Sequence, residues 1–285
     1  MPNFINFVTL NMNQSYTSGA GCCRVVRSTP FPYRQVLADK EAAYLFLTVI
    51  NIQEKLMEKF IYKKTYQEEG KSILEVNLFP GKYCNFNCIF CPVSRKLVHV
   101  QTQESVNLGN LDDAIRDLRQ RIQRIKPDLV FLNSLGESVL LKGVEQVIDT
   151  VHREKVPIRL LSNGYLYGNP AYAAFAGRCE EVIGELKMGR EEAFQKAQRP
   201  IAGYTVRQHI QNMVNFRKSY TGRFHLEITV VKGYSDDPES LDIFRSAVAL
   251  LKPDVLQVVT PEFPFDKVLG ISQDKLKKVA EFLTT

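Results

Sequence analysis

The chain has 285 residues, 45% hydrophobic and 24% charged, an ordinary globular composition with room for one large domain or two small ones. A formal net charge of +6 permits a polyanionic partner but falls short of a dedicated nucleic-acid-binding chain. Six cysteines, an N-terminus without a basic leader, and a most apolar stretch (residues 42–52) too short for a membrane span together set the expectation of a reducing, cytoplasmic protein without membrane contact.

Residues 1–30 are rich in Asn, Ser, Thr and Gly, and residues 36–62 read as one helix. Cys22 and Cys23 are adjacent, which suits neither a mutual disulfide nor two corners of a cluster, so they read as small buried or idle thiols. Residues 1–70 are therefore expected to be an extension, partly disordered or dispensable. Met57, just before the basic stretch Lys59-Phe-Ile-Tyr-Lys-Lys64, is a candidate alternative start.

From about Ser72 the chain alternates short apolar runs with helical patterns. The runs at 73–79, 128–133, 158–162, 181–188, 224–231 and 255–260 read as strands. Over 111–125, Ile115, Leu118, Ile122 and Ile125 share a helical face, while Arg116, Arg119, Arg121 and Arg124 make a solvated surface. Thr205 and Gln208 form a capping-box pattern ahead of Val206, Ile210 and Met213. Leu241, Phe244, Val248 and Leu251 form another buried face that Pro253 ends, and 274–282 is a short final helix. Six β/α units with continuous apolar strands imply a parallel sheet covered on both faces, either a partial barrel or an open doubly wound sheet. The boundaries expected are 71–265 for this core and 266–285 for a C-terminal helical segment.

Directly after the first of these strands comes Gly81-Lys-Tyr-Cys-Asn-Phe-Asn-Cys-Ile-Phe-Cys-Pro92. Cys84, Cys88 and Cys91 stand in the order C-x3-C-x2-C, with Phe90 before the last. A structural zinc site wants four closed ligands, which His99 would complete as Cys3His, giving a non-catalytic zinc-bound interaction module. Three thiolates on one loop can instead hold three irons of a [4Fe–4S] cube and leave the fourth open to a ligand. The pattern resembles that of the radical S-adenosylmethionine (radical SAM) superfamily. The resemblance implies a partial (β/α)6 TIM-like barrel, one [4Fe–4S] cluster, and SAM chelated at the open iron. It further implies that an electron passed to the SAM sulfonium breaks the C5′–S bond, and that the resulting 5′-deoxyadenosyl radical takes a hydrogen atom from a substrate.

Three further segments resemble that superfamily's SAM-binding elements. Leu135-Gly136-Glu137-Ser138, after the second strand, is similar to Gly-Gly-Glu-Pro, with Leu135 and Ser138 departing from the pattern. The resemblance implies that its backbone receives the SAM amino group; otherwise Gly136 is a turn glycine. Ser162-Asn163-Gly164 is similar to a Thr-Asn-Gly segment that approaches the ribose or carboxylate, and equally reads as an Asn-Gly turn. Glu185-Leu186-Lys187 looks like the Asp-Leu-Lys of glycyl-radical activating enzymes, which implies a contact from Lys187 to the SAM carboxylate; an ion pair with Glu185 is the alternative. Phe90 is expected to pack on adenine or to serve as a core aromatic.

Residues 189–200, 225–233 and 256–261 loosely resemble a group that includes the wyosine-forming tRNA enzymes, although the extra N-terminal cysteines of those enzymes are missing. The expected function is a radical SAM oxidoreductase or transferase acting on a tRNA, a protein or a metabolite. Its electron donor would be external, such as flavodoxin or ferredoxin. Lys82, Arg95 and Lys96 beside the cysteines favour an anionic substrate, and the short segment after Phe265 favours a single cluster. No side chain stands out as a catalytic group in its own right.

Overall fold

The structure, a computed structural model, describes residues 59–94 and 96–284. Contacts divide the chain into Met1–Val49 and Ile50–Thr285, and every described residue belongs to the second unit. Cys22, Cys23, Arg95, Met57 and most of the helix expected over 36–62 lie outside the described residues.

Six parallel strands form the frame: β3 (Lys71–Asn77), β6 (Leu129–Leu132), β7 (Ile158–Ser162), β8 (Glu181–Leu186), β9 (Arg223–Thr229) and β10 (Val255–Val259), hydrogen-bonded in that order. They coincide with the six apolar runs of the sequence to within two residues at each end. Helices α1 (Leu111–Ile125), α2 (Val144–Arg153), α3 (Pro170–Ala176), α4 (Glu191–Ala193), α5 (Val206–Ser219) and α6 (Pro238–Leu251) fill the connections, and α7 (Asp266–Leu269) and α8 (Gln273–Thr284) follow β10. The helices start where side chains satisfy their free N–H groups: Asn110 accepts from Asp113, Thr205 from Gln208, and Asp237 from Ser240.

Side chains alternate across each strand, so the sheet has two different faces. Leu74, Val76, Val130, Leu132, Leu160, Val182 and Phe224 pack outward against Leu118, Ile122, Val147 and Phe244 of the helices. Each such fully buried side chain contributes roughly 1.5–3 kcal/mol. The inner face has a smaller apolar plug of Ile73, Leu129, Phe131 and Ile183. Arg159 lies at the N-terminal end of the strands, bonded to Glu181 at 2.6 Å and Glu68 at 2.8 Å. The barrel is therefore sealed below, and polar side chains are left for its C-terminal end.

One expectation needs correction. The helix expected to run to residue 62 does not do so: β1 (Ile61–Tyr62) and β2 (Tyr66–Glu68) pair antiparallel with β3, in register Ile61 with Asn77 and Tyr66 with Ile73. Arg121 lies over the Tyr62 ring at 4.0 Å, and Phe60 is buried in the main core. The polar, β-branched stretch around Thr65 satisfies its backbone along the free edge of β3, where the other five strands leave that strand unpaired. No helix among the described residues is long and apolar enough to cross a membrane.

Candidate metal and cofactor site

Cys84 ends a three-residue strand, β4 (Lys82–Cys84), that pairs in parallel with β5 (His99–Gln101). The loop beyond it is held first by backbone hydrogen bonds. Asn87 N–H donates to the Gln198 and Arg199 carbonyls, Ile89 N–H to Ala197, and Ile201 N–H to Asn85. Its partner strip is the π-turn Phe194–Gln198, which ends in Arg199 at φ 48°. The Gln101 side chain ties Arg199 and Asn85 together through their carbonyls. Residues 189–200, read from the sequence only as a similarity, are thus the clamp on the cysteine loop.

Cys84 and Cys88 are buried and Cys91 is half-buried, inside an apolar shell of Phe86, Phe90, Tyr165, Met188, Phe194 and Val231. Phe90 faces this shell and is itself buried. Burial raises the Cys84 thiol far above its ordinary pKa, and the nearby Glu137 carboxylate adds to the rise. Burial likewise pushes Cys88 up to about 11, against the pull of Lys187 and Lys82. Such thiols become thiolates only when a metal supplies the missing positive charge.

Among the described residues no three His, Cys, Asp or Glu side chains converge as ligands of one ion. His99 Nε2 lies 3.1 Å from the Ser94 carbonyl oxygen, and its Nδ1 is buried without a partner. Buried atoms around the loop also lack partners: Lys82 Nζ, Asn85 Nδ2 and both amide atoms of Gln198. Unpaired buried donors are costly, and these three side chains sit on the two segments that frame the cysteines. An anionic, acceptor-rich group such as an iron–sulfur cluster fits the three nitrogen donors among them, Lys82 Nζ, Asn85 Nδ2 and Gln198 Nε2.

The other predicted residues come together here. Glu137 N–H donates to the Tyr83 carbonyl at 2.8 Å, one residue before Cys84. A Cβ added at Gly136 would stand 1.9 Å from that same oxygen, so only glycine lets the two backbones approach. Glu137 is buried; its carboxylate accepts from Ser162 Oγ at 2.7 Å and from Asn163 N–H at 2.8 Å. Burial, opposed by those two bonds, holds its pKa up at about 7. Asn163 in turn donates to Asn85 Oδ1 at 2.7 Å and lies 3.8 Å from Cys84 Sγ. Gly164 follows at φ +80°, the turn conformation that Asn-Gly favours. The ends of β6 and β7 are thereby knitted through Glu137 to the strand that carries Cys84.

Lys187 pairs with Glu185 at 2.8 Å, as its alternative reading required. Burial would lower its pKa, but Glu185 and the Cys88 thiol together hold it well above the ordinary lysine value. Lys187 thus lies within electrostatic reach of the cysteine loop while paired to the strand. Sequence reasoning missed His209, whose Nε2 is 2.5 Å from the Asn163 carbonyl, and Tyr165 stacked on Tyr204 with ring centroids 3.7 Å apart. The helical spacing of α5 puts His209 on its buried face, which was the available clue. A cleft of about 750 Å³ opens beside this tyrosine pair; none of the three motif cysteines lines it.

Residues 78–242 match the family described as the Radical SAM superfamily. The chain is 23% identical over 243 residues to a protein of Brachyspira hyodysenteriae named GTPase Obg, covering 84% of this chain and 35% of that one. It is 24% identical over 217 residues to a UPF0026 protein of Helicobacter pylori, covering 75% of this chain and 70% of that one. The chain therefore spans about a third of the first relative's length. Among solved structures, TYW1 with a bound lysine–pyruvate adduct superposes with a TM-score of 0.55 at 15% identity, covering 74% and 72% of the two chains. A radical SAM methyltransferase from Sphaerobacter thermophilus gives 0.51 at 12% identity, covering 89% and 83%. At these identities the structures share the fold: a partial TIM-like barrel built on a parallel sheet.

Proposed function

The chain belongs to the radical SAM superfamily, and on that premise we propose that Cys84, Cys88 and Cys91 hold one [4Fe–4S] cluster at which S-adenosylmethionine is cleaved reductively. The observation that carries this reading is the direct docking of Gly136-Glu137 on Tyr83, which brings the loop after β6 against the strand that presents Cys84. When bound, the cluster and SAM supply the difficult chemistry, a one-electron cleavage whose radical product takes a hydrogen atom from a substrate.

The protein's share is to hold, orient and exclude water. The apolar shell around the cysteines keeps solvent from the cluster. In this reading the backbone at Gly136 receives the SAM amino group, and Ser162 and Asn163, tied to the neighbouring Glu137, approach the ribose or carboxylate. Glu137 spends both carboxylate oxygens on Ser162 and Asn163, so it braces these segments rather than contacting SAM itself. Lys187 is offered to the SAM carboxylate with Glu185 as its fixed partner. The electron comes from an external donor such as flavodoxin or ferredoxin. The substrate belongs to one of three classes (tRNA, protein or metabolite), which a comparison of nucleosides and metabolites between wild-type and deletion cells would separate.

The test is anaerobic purification. Brown protein with about four irons per chain, lost in Cys84→Ala, Cys88→Ala or Cys91→Ala, is the expected result. Dithionite-reduced protein should then release 5′-deoxyadenosine from SAM. Stoichiometric zinc without iron would overturn the reading and favour an interaction module.

A further inference from the structure

Two lysines reach the cysteine loop, and they differ in one respect. Lys187 has a carboxylate partner within the protein. Lys82 has none: its side chain is 4% exposed and its Nζ makes no hydrogen bond. Burying an ammonium without a counter-charge is among the costlier things a fold can do, and it persists where a ligand supplies the charge.

The direction of the side chain identifies that ligand. Lys82 and Cys84 are two apart on β4, so they lie on the same face, and both are buried while Tyr83 between them is half-buried. The strand is fixed at this point by the bond from Lys82 N–H to the Val98 carbonyl at 2.7 Å. Cys88 and Cys91 follow on the loop that β4 leads into, so Lys82 is built into the strand that presents the first thiol.

We propose that Lys82 is the built-in counter-charge of the cluster and sets how readily that cluster accepts an electron. The inference rests on the cluster reading above. A [4Fe–4S] cube with three cysteinate ligands carries one formal negative charge when oxidised and two when reduced, the added electron coming from the external donor. A fixed buried cation stabilises the second charge more than the first, so it makes reduction easier. Lys82 is here a positioning residue for charge; it need not touch substrate.

Reconstituted full-length wild type, Lys82→Gln and Lys82→Arg would be titrated with dithionite and redox mediators, the reduced cluster being read by electron paramagnetic resonance. At the potential that half-reduces wild type, Lys82→Gln should show a roughly tenfold lower ratio of reduced to oxidised cluster, with iron content retained, while Lys82→Arg stays near wild type. An unchanged potential in Lys82→Gln overturns the proposal, whether or not SAM affinity falls. If Lys82→Gln retains no iron, apo protein decides. Lys82→Met should raise the urea midpoint of apo protein, because an unpartnered buried charge has been removed, and a lowered midpoint overturns the proposal. Wild type that binds no iron under the same conditions sinks the cluster reading itself, which is a different outcome from either.

Discussion

Position 136 has no room for a side chain, since an added Cβ would fall 1.9 Å from the Tyr83 carbonyl oxygen and 2.6 Å from its carbon. Both neighbours are backbone, so neither can rotate away. Gly136→Ala must push β4 and the Ser138–Leu140 turn apart, breaking the Glu137–Tyr83 hydrogen bond and moving Cys84 with it. The expected loss is about 1–3 kcal/mol of stability, together with lower iron retention than wild type. Urea denaturation and iron analysis of the purified variant check both. A second residue-scale prediction concerns Glu227, which lies directly opposite Glu185 across β8 and β9. Burial, with the Glu185 carboxylate adding to it, pushes Glu227 from 4.5 up to about 7. Because the folded state holds this proton more tightly than the unfolded chain, folding is penalised as pH rises. The penalty is absent below 4.5, grows through the interval and is complete above about 7. Apo protein should therefore lose on the order of 1–2 kcal/mol between pH 5 and pH 8 through this group. Glu227→Gln should flatten that slope in urea midpoints measured across the range; an unchanged slope would locate the effect elsewhere.

At the scale of elements, what could be read from the chain depended on whether the partner was implied by the pattern itself. The six core strands are continuous apolar runs because both faces are covered, and runs such as Leu129–Leu132 announce that burial without naming a neighbour. Helix α1 was legible because Ile115, Leu118, Ile122 and Ile125 recur at helical spacing, and Leu118 and Ile122 do lie on its buried face. Strands β1 and β2 were not. Ile61–Tyr62 and Tyr66–Glu68 are short and polar, and they are strands only because β3 offers a free edge. Strands β4 and β5 escaped notice for the same reason, three residues being too few for any periodicity. The cysteine spacing could be read, but the clamp formed by Phe194–Gln198 could not, since backbone pairing between 85–89 and 197–201 leaves no mark in residue types. Likewise Lys82 was legible only as a basic residue beside the cysteines that favours an anionic substrate; the structure buries it, and only the fold could reveal that.

For the molecule as a whole, the question is how much chain the site needs. Every residue assigned to cluster or cofactor lies between Lys82 and Lys187, but the barrel that holds them extends further at both ends. At its start, Phe60 is buried in the main core, Tyr62 lies under Arg121, and Glu68 completes the bonding of Arg159 beneath the apolar plug. A chain beginning at Met57 keeps all of these. A chain beginning at Ile73 loses β1 and β2, uncovers the outer edge of β3 and leaves Arg159 with Glu181 alone. The Met57 form is therefore expected to be soluble, to bind iron to the same stoichiometry as the full chain, and to release 5′-deoxyadenosine from SAM. The Ile73 form is expected to aggregate, because an exposed edge strand joined to an opened core is a template for association. Expression of the three forms side by side, with solubility and iron measured on each, tests the division. An insoluble Met57 form beside a soluble full chain would show that residues before 57 are part of the barrel's support, and the sheet edge alone would then be an insufficient account of what closes it.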